Sequence, residues 1–129
     1  MFKEIFEVIL TDNGWEFSKP LEIECNPETG EKQINVFYCD SYSSWQKGTI
    51  ERNHEFIRYI IPKGITFDNL TNKNIIDMTN NINNVRRKSL DFHSPYYLFK
   101  QKYGESICNK LLLECIPKEN VNLSYKILK

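Results

Sequence analysis

Two carboxylates in different local settings constrain this chain more than any other feature. Asp12 closes the run Ile5-Phe6-Glu7-Val8-Ile9-Leu10-Thr11 and is followed by Asn13 and Gly14. A nearly continuous apolar run of this kind reads as a buried strand over 5–11, turned at its end by Asp-Asn-Gly. Glu51 lies on an amphipathic stretch from Trp45 or Gly48 to Ile61, stopped by Pro62-Lys63-Gly64. Steps of about 100° per residue gather Ile50, Asn53, Phe56, Ile57, Ile60 and Ile61 on one helical arc, with Glu51, Glu55 and Arg58 beside it. A carboxylate at a strand end and another on a following helix can meet on a divalent ion. Magnesium and manganese favour oxygen ligands, and a pair of such ions performs in-line phosphoryl transfer. On spacing alone two blander roles stay open. Asp12 can make an Asx turn before Gly14, and Glu51 can be a solvated helix residue paired with Arg58.

At 129 residues the chain has the length of one domain, and its 40% hydrophobic and 26% charged content is ordinary for a globular protein. No apolar run reaches the roughly 18 residues a membrane span needs, and the acid-broken start Met-Phe-Lys-Glu is no signal peptide. A cytoplasmic protein without membrane contact is expected. Net charge is zero but unevenly spread. Residues 1–40 hold three lysines against nine acids, and residues 41–104 hold ten Lys and Arg against five acids. An acidic lobe for metal and a basic lobe for phosphates fit this split. So does a solvated, accidental asymmetry, since polyanion binders usually carry clear net positive charge. The four cysteines form no C-x-x-C pair and no histidine stands at ligand spacing, which argues against zinc and leaves reduced, structural thiols. The abundance of Asn, Ile and Lys reads as nucleotide-composition bias.

Other elements follow from local signals. Residues 20–32 read as a polar hairpin or flap, and 34–39 as a second strand. A helix over about 71–85 is capped by Thr71 and carries Ile75, Met78, Ile82 and Val85 at helical spacing, with Arg86-Arg87-Lys88 after it. Ser94-Pro95 opens a helix through Tyr103, closed by Gly104. Ser106 caps a short helix through Cys115, and the alternating tail 121–128 reads as an edge strand or a loose extension. Trp45, Tyr96, Tyr97 and Phe99 read as core.

The local words add a resemblance. Thr11-Asp12-Asn13-Gly14-x-Glu16-Phe17 resembles the second-aspartate motif of the integrase core of retroviral integrases and bacterial transposases. The stretch from Tyr42-Ser43-Ser44-Trp45 through Glu51-Arg52-Asn53-His54 to Arg58 resembles the glutamate helix of the insertion-sequence thirty transposase family. Pro62-Lys63-Gly64-x-x-Phe67, Asn83-Asn84-x-Arg86-Arg87-Lys88 and Ser94-Pro95-Tyr96-x-x-Phe99 continue it in order.

This resemblance implies an α/β chain with a truncated ribonuclease H-like (integrase core) fold and C-terminal helices. Residues 1–100 would form a partial catalytic core lacking its first strands, and 101–129 a C-terminal helix and tail. Asp12 and Glu51 would be catalytic ligands to Mg2+ or Mn2+. The family's first aspartate has no counterpart, because only Glu4 and Glu7 are acidic before Asp12 and neither stands in a matching motif. The implied parent activity is DNA strand cleavage and strand transfer, and the chain alone is expected to be inactive or nearly so. Lys47, Arg52, Asn53, His54, Arg58, Arg86, Arg87 and Lys88 are the candidates for DNA contact. Arg86, Arg87 and Lys88 serve equally well as a charge cluster against a helix dipole, and His54 as a partly buried helix residue. Without the upstream strands the apolar run at 5–11 leaves an open edge, so self-association is expected. The alternative is a non-catalytic module that dimerises with or regulates a full-length transposase.

Overall fold

The structure, a computed structural model, describes residues 2–41, 43 and 48–129, Phe2 by its backbone alone. Trp45 and Lys47 lie outside the described residues. The chain divides into two compact units, Met1–Gly48 and Thr49–Lys129. Helix and strand are mixed, in line with an α/β class. Among the described residues no helix is long and apolar enough to cross a membrane.

The first unit holds α1 (Phe2–Ile5), β1 (Val8–Thr11), α2 (Pro20–Glu24) and β2 (Asn35–Tyr38). The strands pair in parallel, from Val8 opposite Asn35 to Thr11 opposite Tyr38. Parallel neighbours need a crossover, and the segment containing α2 supplies it. Two expectations are corrected here. Ile5 ends a helical turn rather than starting the strand, so β1 is shorter than the apolar run. The polar loop opens with a helix, because Pro20 at its first position is pre-organised for one. A hairpin survives only as the antiparallel bridge between Cys25 and Lys32. There Asn26 Oδ1 accepts the Glu28 N–H at 2.8 Å.

Glu24 is buried at the end of α2, where a carboxylate needs partners. It accepts the Val36 N–H at 2.8 Å and the Lys32 ammonium at 3.1 Å. Those two donors, the amide first, hold its carboxyl below the usual glutamate range.

The second unit holds α3 (Gly48–Ile60, from the last residue of the first unit), α4 (Asn72–Asn83), α5 (Pro95–Tyr103) and α6 (Glu105–Lys110). Ile60, Ile61 and Ile82 form its buried centre, with Phe56, Ile57, Met78, Leu123, Ile127 and Leu128 packed around it. The expected caps are present. Thr71 Oγ1 accepts the Asn74 N–H at 3.2 Å and Asn74 Oδ1 accepts the Thr71 N–H at 3.0 Å, a reciprocal box. Ser94 Oγ accepts the Tyr97 N–H at 3.2 Å. Gly104 takes the positive φ of 84° that lets α5 end there.

The C-terminal expectations need correction. α6 starts at Glu105 and stops at Lys110, short of Cys115, and the tail is neither edge strand nor loose. Its Tyr125–Leu128 turn is a 3-10 helix docked on the isoleucine core.

Asparagines on α4 hold that segment in place. Asn80 donates to Leu112 O at 3.0 Å and accepts the Glu114 N–H at 3.1 Å. Asn84 donates to Glu114 O at 2.8 Å and accepts the Ile116 N–H at 3.1 Å. Asn81 accepts the Asn122 N–H at 2.7 Å. An irregular strap carries backbone groups that need partners when covered, and these amides serve as a neighbouring strand would. All four cysteines are free, Cys39 and Cys108 buried.

Candidate nucleic-acid interface

In the first unit, Asp12 follows the last residue of β1 and is exposed. Its Oδ1 accepts the Gly14 N–H at 3.2 Å, so the Asx turn considered as its blander role is made. The turn is anchored to the neighbouring strand end. The Cys39 N–H donates to Thr11 O at 2.7 Å, and Asn13 Nδ2 donates to Cys39 O at 3.3 Å. The parallel register therefore carries Asp12 and Asp40 to the same, C-terminal end of the sheet, where open α/β sheets place ligands. Among the described residues, no group of three or more His, Cys, Asp or Glu side chains gathers as a metal site.

In the second unit, α3 presents its polar residues on separate faces. Glu51, in the first turn, is exposed and lines a shallow surface with His54, Glu55, Arg58 and Tyr59. No partner for Glu51 stands among the described residues. Arg58 lies over the Phe67 ring at 5.9 Å, and the ion pair with Arg58 considered as the blander role of Glu51 is not made. Asn53 turns inward, its Oδ1 buried without a hydrogen bond.

Arg52, by contrast, meets the basic run that follows α4. Arg52, Arg86, Arg87 and Lys88 line one cavity with Phe56 and Ser89. The Phe56 ring is its floor, with the Arg87 guanidinium 5.2 Å and the Arg52 guanidinium 6.0 Å from the ring centre. Glu55 neutralises part of this charge. It pairs with Arg52 one helical turn away, and that hydrogen bond raises the pKa of Arg52. Arg87 has no carboxylate partner among the described residues. Burial first, and then the charge of Arg52, push its pKa down. Its Nε is buried with no hydrogen-bond partner. A half-buried guanidinium under repulsion, with an unfilled donor, is electrostatically prepared for an anion.

The loop carrying these cations is tied rather than loose. The Arg87 N–H donates to His93 O at 3.1 Å, and the Phe92 N–H returns to Arg87 O at 3.0 Å. Asp91 and Phe92 both take left-handed φ values, 50° and 61°. Each such residue costs on the order of 1–3 kcal/mol and persists where its surroundings impose it.

Of the residues singled out by sequence, the structure gathers Arg52, Arg86, Arg87 and Lys88, and places His54, Arg58 and Glu51 along another part of α3. Two side chains read only as core stand otherwise. Phe56 was read only as core, yet its ring is the cavity floor. Tyr97 was also read as core, yet it is 46% exposed and stacks on His93 with ring centres 4.9 Å apart. Its position one helical turn after His93 was a usable signal.

Comparison with known proteins gives the chain its relatives. The chain is 39% identical over 99 residues to a transposase for insertion sequence element IS4351 of Bacteroides fragilis, covering 77% of this chain and 29% of that protein. It is 33% identical over 92 residues to the transposase InsI for insertion sequence element IS30A of Escherichia coli (strain K12), covering 71% and 23%. It is also 37% identical over 93 residues to a putative integrase ORF3 of Spiroplasma virus SpV1-R8A2 B, covering 72% and 27%. The chain thus spans less than a third of the length of these curated relatives. No family model and no solved structure matches it.

Proposed function

The chain belongs by homology with the insertion-sequence transposases, IS30 elements among them, and on that premise we propose that its second unit holds DNA by the phosphate backbone. The cavity of Arg52, Arg86, Arg87 and Lys88 over Phe56, with the Arg87 Nε unpaired, is the observation that carries this reading. Phosphate contacts of this kind position a strand and carry little sequence information.

The parent activity in this reading is metal-dependent cleavage and transfer of DNA strands within a ribonuclease H-like core. Asp12 and Glu51 are the proposed oxygen ligands for Mg2+ or Mn2+. Carboxylate oxygens suit those ions, but two carboxylates are fewer than a metal pair needs. We propose that the chain alone does not cleave.

The test is binding of labelled duplex DNA by fluorescence anisotropy across a salt series. Affinity falls with rising salt. Arg87→Ala weakens it several-fold for any sequence and flattens the salt slope by about one contact's worth. Salt-independent or absent binding overturns the reading.

A second reading, a module that associates with itself or with a full-length transposase, is supported by one observation. Val8, Leu10 and Phe37 share one face of the sheet and are 56%, 47% and 55% exposed. Sedimentation of the chain with and without Phe37→Ser tests it, and a monomer in both cases removes it.

A further inference from the structure

The tied loop 86–93 borders a second cavity, of about 660 Å3 and within the size range of ligand sites. Arg86 lines both cavities. We propose that this second cavity receives one unpaired nucleotide of a DNA strand whose backbone passes Arg86. The inference rests on the phosphate-holding role argued above and deepens it, from DNA backbone in general to a single-stranded stretch.

Three features of the lining carry the argument. First, His93 and Tyr97 form a stacked pair, 16° from parallel, with both residues exposed. The free face of such a pair is a platform on which any base stacks. His93 Nδ1 lies 3.2 Å from Leu90 O, which holds the ring in that plane.

Second, Tyr96 is only 7% exposed and lines the cavity. A phenol hydroxyl both donates and accepts, so a ligand with donors and acceptors on its edge can pair with it there. Burial raises the Tyr96 pKa, so at neutral pH the hydroxyl keeps its proton and can both donate and accept.

Third, the charged groups on the rim favour an anion. Arg86 and Lys118 have no carboxylate partner among the described residues, whereas Lys100 is engaged by Glu105 at 3.2 Å. Asp91 is the one acid in the lining. A base edge for Tyr96, a ring face for Tyr97 and a phosphate for Arg86 and Lys118 describe a nucleotide. In a duplex the base faces are covered by their neighbours, so only an unpaired or extruded nucleotide presents all three.

The experiment compares three labelled probes on the full chain: an oligothymidylate of about ten nucleotides, the same backbone with abasic sites throughout, and a duplex. The intact single strand is expected to bind about tenfold tighter than the abasic one. Tyr97→Ala and Tyr96→Phe should each remove most of that preference while leaving the duplex and abasic affinities unchanged. Tyr97 is a surface position, so its variant remains informative if Tyr96→Phe unfolds, which a circular-dichroism melt reports. Lys118→Ala should weaken both single-stranded probes together. Equal binding of intact and abasic strands, with duplex binding present, overturns the nucleotide cavity and leaves the phosphate reading standing. A preference that persists in Tyr97→Ala also overturns it. No binding to any probe overturns both.

Discussion

The two units use polar groups in opposite ways. In the second, polar side chains close the fold. Two asparagines on α4 and a third at its C-cap satisfy the strap at 112–122, and the tail beyond it seals an isoleucine core. In the first, a buried glutamate ties α2 to β2, but one face of the two-stranded sheet stays apolar and open. An isolated strand pair is marginal in water. The second unit therefore carries the features of a self-sufficient fold, and the first those of a surface awaiting cover.

The largest expected effect tests that contrast in the cores. Ile60→Ala, at a fully buried position, should cost roughly 2–5 kcal/mol in chemical denaturation. Leu10→Ala, on the open sheet face, should stay within about 0.5 kcal/mol. A Leu10 effect as large as that of Ile60 would mean the sheet face is covered in solution and would break the comparison.

A smaller effect isolates the asparagine ladder. Asn84→Ala removes bonds to Asn80 O, Glu114 O and the Ile116 N–H. With buried backbone groups left unpaired, roughly 1–3 kcal/mol should be lost. Hydrogen exchange should quicken over 112–122 before the isoleucine core loosens. Uniform loosening of the whole unit would show that the strap and the core are one cooperative body.

The last effect belongs to the first unit and is read by pH. Folding lowers the pKa of Glu24, so the unfolded chain binds the proton more readily as pH falls. The stabilisation is complete above the ordinary glutamate value and is lost as pH drops through the lowered, folded value. The Val36 amide resonance should move in that acidic window, and Glu24→Gln should abolish the titration. No movement of Val36 in the unaltered chain would remove the tie from the account.

Much of the second unit was legible because its signals are local. Thr71, Ser94-Pro95 and Gly104 mark helix ends through bonds that span three or four residues, and all three are found where expected. The basic run 86–88 was visible, though its convergence with Arg52 was not. Errors fell where distant partners decide. Asn80 and Asn81 were read only within a general abundance of Asn, and Asn84 only as part of a motif, because nothing within a helical turn tells that their partners lie some thirty to forty residues away. The tail looked like an edge strand because alternation suits a strand, yet Leu123, Ile127 and Leu128 found the isoleucine core instead.

By itself, the amino-acid order determined the caps of α4 and α5, the strand before Asp12, and the residues carrying the transposase likeness. Each depends on neighbours in the chain or on the residues themselves. The tertiary structure alone decided that Arg87 would lie over Phe56 without a carboxylate partner among the described residues, that Tyr96 would be buried against a cavity, and that asparagines of α4 and its C-cap would pair with a distant strap. Burial and desolvation depend on groups remote in sequence, and they turn an ordinary arginine into one whose buried Nε lacks a partner.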